Sequence, residues 1–385
     1  MILRDTLEPD PWHFPRPELA GSYLSAFELK LSSARGLFAR RRMGKTEFLL
    51  RDLLPAAIKR GYLVAYSNLW DVRSAPREAL ISALADALAP QGVSAVLARL
   101  SKPVKKVKAT AKIAGAAEGS LEAELASSAT ENAADLREVL GRLDNQKKPL
   151  LLLIDEAQVL ARADHSDFAH ALRAALDTRK DRIKVIFAGS SEATLREMFA
   201  RTSEPFYNWA ALEPFPLLGE EFVAFTIDIM NGMAKYGLSL EQGEQAFDAL
   251  HRTPEFFKRF IERYMLYQTQ GPEAALEHTK ASVFSDQHFL AHWSAMHPAD
   301  QAVLTLLARG GTDIHGTAGL AQLSTLLGKS VTKNTGAHAL RRLREENVVT
   351  RLAFGEYRIE DEAFAEWVRR HTAHPARDSN RRRPN

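Results

Sequence analysis

Cysteine is absent from the 385 residues. That excludes a disulfide framework, thiolate metal sites and a cysteine nucleophile, and it suits a reducing, cytoplasmic location. An excess of one charge is also lacking. Lys plus Arg number 51 against 48 Asp plus Glu, a formal net charge of +3. So small a surplus does not announce a nucleic-acid binder from the chain as a whole. Long apolar runs are missing too. Leu150–Ile154, in the middle of the chain, falls far short of the ~20 residues that cross a bilayer, so no membrane partner is expected. The opening stretch MILRDTLEPDPWHFPRP is acidic and broken by prolines, unlike a secretory leader. What is present is ordinary for a globular protein, 45% apolar and 26% charged residues. The length asks for more than one domain.

Periodicity divides the chain. Residues 1–20, with four prolines, read as an extended arm within an N-terminal region that runs to residue 35. Residues 36–217 alternate short apolar runs with helical patterns. Gly36–Ala39, Tyr62–Leu69, Pro149–Ile154 and Ile183–Ala188 read as strands, and Lys45–Arg60, Ala79–Leu100, Ala134–Leu143 and Phe168–Leu176 as helices. Continuous apolar runs such as Leu150–Ile154 suit strands buried on both faces of a parallel sheet. Strands alternating with helices predict a doubly wound α/β layer. Within it, residues 101–130 alternate Val, Ala and Ile with Lys, then Leu and Ala with Glu, around GAAEGS. That pattern reads as an inserted β-hairpin, with a disordered Lys/Ala insertion as the competing reading. Residues 218–297 are helical in spacing. Residues 298–372 give three helical patterns, two short strands and a last helix, the order of a winged helix. Residues 373–385 are a basic tail expected to be disordered.

The central chemical signal is Ala39-Arg40-Arg41-Arg42-Met43-Gly44-Lys45-Thr46-Glu47, with a strand before it and a helix after. Phosphates need close backbone N–H groups, a helix N-terminus and a cation. Gly44 lets the backbone approach. Lys45 would reach the β- and γ-phosphates, and the Thr46 hydroxyl would hold Mg²⁺. Ala39 departs from the phosphate-loop pattern, whose first position is glycine. Alanine fits there if its φ is negative. Farther on, Leu150–Ile154 delivers Asp155 and Glu156 at a strand end, where ligands sit in open α/β sheets. Asp155 would bind the metal, and Glu156 would orient and polarise an attacking water. A third strand end carries Ser190 and Ser191, where a hydroxyl can sense the γ-phosphate or merely open the next helix.

FARRRMGKTEFL, LLLLIDEAQ and FAGSSEATLREMF together resemble the archaeal-type ATPase family, in the STAND-like branch of the AAA+ P-loop ATPases. The resemblance runs over about residues 10–370. It implies an α/β fold with an AAA+-like P-loop parallel sheet, a helical lid and a C-terminal winged helix, and it implies ATP with Mg²⁺ as ligands. It further implies an adenine-proximal Arg16, within Phe14-Pro15-Arg16-Pro17-Glu18-Leu19, and a lid contact at Pro254. There His251 replaces the usual glycine, while Arg252 and Lys258 are the nearest lid cations. A finger arginine, which in P-loop ATPases can be worth ~10³–10⁵ in rate, would be Arg201 rather than Arg196. The alternative for either is a surface arginine paired with glutamate. Arg42, Met43 and Glu47 flank the proposed phosphate cradle.

In the C-terminal module, Gly336, Leu340 and Leu343 would face inward. That leaves Lys333, Asn334, His338, Arg341 and Arg342 on the outer face, the geometry of a recognition helix able to reach double-stranded DNA. Against this stand Glu345, Glu356, Glu360 and Asp361, which suit a protein partner or a second copy. His288, His292 and His297 have a spacing that zinc sites use, but Phe289, Leu290 and Trp293 point to a packed helix. The sequence therefore reads as an ATP-hydrolysing nucleotide-controlled switch linked to DNA through its winged helix, the alternative being a nucleotide-gated signalling or defence switch that docks protein and hydrolyses ATP slowly or not at all. A P-loop kinase is disfavoured by Glu156 beside Asp155.

Overall fold

The computed structural model describes residues 10–71, 74–88, 136–283, 286–311, 314–346, 348–353 and 356–373. The hairpin expected over 101–130 and the basic tail lie outside the described residues. The chain forms two compact units, Met1–Ala39 with Gly44–Pro216, and Arg40–Met43 with Leu217–Asn385.

The first unit is built on five parallel strands, β1 (Ala34–Phe38), β2 (Leu63–Asn68), β3 (Leu150–Asp155), β4 (Ile183–Gly189) and β5 (Ala211–Pro214), in the order β2-β3-β4-β1-β5. Every residue of β3 and β4 is buried. The reason is visible in alternation. Leu150, Leu152 and Ile154 join one apolar cluster with Phe187 and Leu172, while Leu151 and Leu153 join another with Phe27, Phe48 and Ile186. A strand with helices over both faces reads as a near-continuous apolar run, broken here only by Lys184, whose ammonium donates to the Lys180 carbonyl at 2.6 Å, and by Asp155 at the strand end. β5 was not foreseen. It is a four-residue edge strand, largely open to solvent and ending in Pro214, so it carries neither an apolar run nor a clean alternation.

The arm also departs from expectation. From Pro17 the chain is helical, Pro17–Glu28, with proline at the first turn. There its missing N–H costs nothing and its fixed φ suits the helix. The helix after the phosphate loop begins as expected at Lys45 but is not uniform. Lys45–Glu47 is α-helical, Phe48–Leu53 is a wide π turn, and Leu54–Lys59 resumes the α form. Pro55 lacks the N–H a regular turn would use, and the wide turn absorbs that break.

The second unit is helical through Glu220–Asn231, Leu240–Ala249, Pro254–Leu266, Gly271–Val283 and Asp286–Ala295. Phe222, Phe247 and Phe257 meet with ring centroids 5.3 to 5.9 Å apart. Gly243 lets its helix press against Ile227, where any Cβ would collide. Helices Pro298–Ala308, Thr317–Leu327 and Lys333–Glu345 follow, then the antiparallel pair β6 (Val349–Ala353) and β7 (Glu356–Ile359) and the helix Glu362–Ala373. This is the element order read from the sequence. His297 Nδ1 accepts from the Ala299 N–H at 3.1 Å and so caps its helix, and the His292 ring lies edge-on to Phe364. Both histidines thus cap and pack. No helix among the described residues is long and apolar enough to cross a membrane.

Candidate active site

β4 lies between β1 and β3, and Phe38 pairs with Gly189. The chain segments leaving these three strands, Ala39–Gly44, Asp155-Glu156 and Ser190, therefore emerge side by side at the carboxyl edge of the sheet, where open α/β sheets hold ligands.

The loop after β1 ends in Gly44 at φ 82°, a left-handed conformation that favours glycine. Ala39 is not among the residues of positive φ, so the alanine that breaks the pattern sits where alanine is tolerated. Arg42, by contrast, has φ 68°, a strained backbone for a residue with a Cβ. Lys45 is 6% exposed, and its ammonium donates to the Ala39 carbonyl at 2.5 Å, arching across its own loop. The helix begins at Lys45, so its free N–H groups open toward the same loop.

Thr46 Oγ1 donates to Asp155 Oδ2 at 2.6 Å. Asp155 is 1% exposed, and its other oxygen accepts the Glu156 N–H at 3.0 Å. Burial pushes the Asp155 carboxyl above the usual carboxylate range, with Glu156 adding to the rise and the Thr46 hydrogen bond and the Lys45 charge opposing it. A cation beside it would restore the ionised form. The Thr46 hydroxyl and the Asp155 carboxylate are adjacent hard oxygen donors, a set that fits Mg²⁺.

Tyr66 on β2 escaped the sequence reading. Its hydroxyl donates to Asp155 Oδ2 at 3.2 Å. Burial first, and the Asp155 carboxylate second, push its phenol far up, so it is a fixed donor. Gln158 escaped as well. It is 3% exposed and donates to Glu156 Oε2 and, at 3.1 Å, to Ser190 Oγ. The Ser190 hydroxyl itself donates to Glu156 Oε2 at 2.8 Å. Ser191 takes the plainer role, accepting from the Thr194 N–H and capping the helix Glu192–Ala200.

Arg16 reaches the edge of the loop. Its guanidinium lies 4.2 Å from the Phe215 ring centroid and 5.2 Å from that of Phe48. It donates to the Pro216 carbonyl at 3.0 Å and the Gly44 carbonyl at 3.5 Å. Burial pulls its pKa down to about 10, which leaves it a cation at neutral pH. Glu47 is exposed and pairs with Arg51 one turn on. Arg196 pairs with Glu192 on its own helix at 2.8 Å, the surface alternative. Arg201 caps the C-terminus of that helix and is exposed, with no side-chain hydrogen bond or ion pair among the described residues.

Arg42, Met43 and Pro254 belong to the second unit. Arg42 lies 3.6 Å from Glu255 and 5.0 Å from the Phe256 ring centroid, and Arg40 donates to the His251 carbonyl at 3.4 Å. Met43 is buried, and so is Pro254, which opens its helix. His251 and Arg252 both have positive φ, 56° and 51°. The turn before Pro254 thus keeps a glycine-like backbone without glycine.

On the helix Lys333–Glu345, Gly336, Leu340 and Leu343 are buried, and Lys333, Asn334, His338 and Arg341 are exposed. Arg342 corrects the expectation. It grips the buried Asp300 of the helix Pro298–Ala308 with two hydrogen bonds, 3.0 and 2.6 Å, and so faces its own module. Helical spacing could not show this, because the partner comes from another element. Arg342→Ala is expected to lower the unfolding free energy by about 1–3 kcal/mol, since it strands a buried carboxylate. Lys333→Ala should stay within about 0.5 kcal/mol. Chemical denaturation of the two variants checks the contrast.

A parallel sheet in this order, with a lysine-bearing loop after β1 and an acidic pair after β3, defines the fold of the AAA+ P-loop ATPases. No protein-family model matches the sequence, and no curated protein matches it. Among solved structures, the chain is similar to a Walker-type ATPase of Pyrococcus abyssi, at 16% identity over 95% of this chain and 99% of that one, with a TM-score of 0.60. It is also similar to the ORC2 protein of Aeropyrum pernix in its ADP form, at 15% identity over 93% and 94%, with a TM-score of 0.52.

Proposed function

We propose that this chain binds ATP with Mg²⁺ at the carboxyl edge of its sheet and hydrolyses it to ADP and phosphate. The observation that carries the reading is the Thr46 hydroxyl bonded to Asp155 at 2.6 Å beside the buried Lys45. Lys45 would leave the Ala39 carbonyl for the β- and γ-phosphates, and the N–H groups from Gly44 to Thr46 would cradle them. Thr46 and Asp155 would hold Mg²⁺, which supplies charge neutralisation on the phosphates. Glu156 would orient the water that attacks the γ-phosphorus and accept its proton as the bond to the ADP oxygen breaks. Ser190 would sense the γ-phosphate between the two motifs, and Arg16 would lie on the adenine side. Arg201, exposed at a helix end, would act in trans in an assembled form.

Residues 218–297 would serve as a lid and 298–372 as a winged helix of the STAND-like kind. Nucleotide would act as a switch on these segments. Lys333, Asn334, His338 and Arg341 would be the face toward duplex DNA. The engagement of Arg342 by Asp300 removes one cation from that face, which favours the second reading, a nucleotide-gated switch docking protein. Phosphate release measured across protein concentration, with and without chelator, tests the hydrolase. Duplex titration across salt separates the two outlets. DNA contact predicts log affinity falling linearly with log salt, by about 0.9 per phosphate neutralised. Absent or salt-independent retention would favour the protein dock.

A further inference from the structure

Glu156 sits on a backbone at φ 54°, left-handed and unfavourable for a residue with a Cβ. That twist turns its side chain out of strand alternation and toward Ser190. Two donors then converge on one carboxylate oxygen. Ser190 Oγ donates to Oε2 at 2.8 Å, and Gln158 Nε2 donates both to Oε2 and, at 3.1 Å, to Ser190 Oγ. The three side chains close a ring. Oε1 of Glu156 accepts no hydrogen bond among the described residues.

The Gln158 amide has only one tolerable orientation. Flipped, its oxygen would face the acceptor-only carboxylate oxygen of Glu156. As placed, Oε1 is buried with no hydrogen bond among the described residues. It lies over Gly189, where a Cβ would come within 2.5 Å of it. A buried, unpaired amide oxygen is a cost that an apolar residue of the same length would not carry. The position is therefore poorly explained by packing alone. It is explained if the amide N–H is needed.

We propose that Gln158 is a positioning residue, holding Glu156 by Oε2 so that Oε1 faces the attacking water. This rests on the reading of Glu156 as the water-orienting carboxylate. Gln158 touches neither substrate nor metal and acts through Glu156 alone.

The test uses the full chain and four proteins: wild type, Gln158→Met, Glu156→Gln and the double variant. Met keeps the length and removes both donors and the unpaired oxygen. Gln158→Met is expected to lower kcat about 10²-fold, the scale of a small misplacement of a reacting group. KM and the ATP-induced rise in Tm should be unchanged, and Tm without nucleotide should be equal or higher. In the Glu156→Gln background, the same change should alter the residual rate less than about twofold, because residues acting as a unit are not additive.

A loss of similar size in both backgrounds, a raised KM, a fall in Tm, or an unchanged or faster kcat would each overturn the role. The two levels separate cleanly. A wild type that releases no phosphate, or a Glu156→Gln as fast as wild type, removes the reading of Glu156 and the positioning role together. Turnover lost in Glu156→Gln but kept in Gln158→Met removes the positioning role alone.

Discussion

Glu156→Gln is expected to bind ATP as wild type does and to release phosphate about 10²–10⁴-fold more slowly, the range a general base contributes. The amide has the size of the carboxylate, so the ring with Gln158 and Ser190 can keep its shape. What changes is chemistry. An amide has no negative oxygen to take the proton of the attacking water. Binding should persist because Lys45, Thr46 and Asp155, which would meet the phosphates and metal, are untouched. Fluorescent-nucleotide titration and phosphate release, run on one preparation, read the two halves separately. Turnover within about threefold of wild type would falsify the assignment of Glu156.

Lys45→Ala should abolish the thermal stabilisation that ATP confers. A ligand at 100 times its dissociation constant adds about 2.7 kcal/mol to stability, and removal of the cation that meets the β- and γ-phosphates takes that increment away. The protein without nucleotide should change far less. It loses the hydrogen bond from Nζ to the Ala39 carbonyl at 2.5 Å and the positive charge that favours ionised Asp155, set against the relief of no longer burying an ammonium, for a net effect of about 1 kcal/mol. Differential scanning fluorimetry with and without ATP and Mg²⁺ measures both quantities. An ATP shift that survives the substitution would take Lys45 out of the site.

Much of the first unit is legible because a buried parallel strand has a distinctive composition. Leu150–Ile154 and Ile183–Ala188 could be found as runs, and the strand ends then located Asp155 and Ser190. Gly44-Lys45-Thr46 was legible for a different reason, since close approach to phosphate narrows the choice of residue. Tyr66 was not legible. Its meeting with Asp155 depends on the register of β2 on β3, where Asn68 pairs with Asp155 and Tyr66 lies two residues behind. Gln158 left a faint mark, a lone amide among the buried Ala157, Val159 and Leu160. Arg342 shows the opposite failure, because helical spacing assigns a face but not the neighbour that occupies it. The turn at His251-Arg252 was hidden because its backbone departs from what those residue types prefer.

The wide turn at Phe48–Leu53 has a consequence for the anchoring of the N-terminal segment. Asp52 lies within it, and its Oδ1 receives the Arg16 N–H at 3.0 Å and the His13 ring nitrogen at 3.1 Å. An extra residue in one turn rotates everything beyond it by about 100° relative to even winding. Asp52 therefore owes its aim to an irregularity. Deleting one residue there to straighten the coil would swing the carboxylate off its catch and let go of Arg16, so in this stretch a more perfect helix would make a poorer anchor.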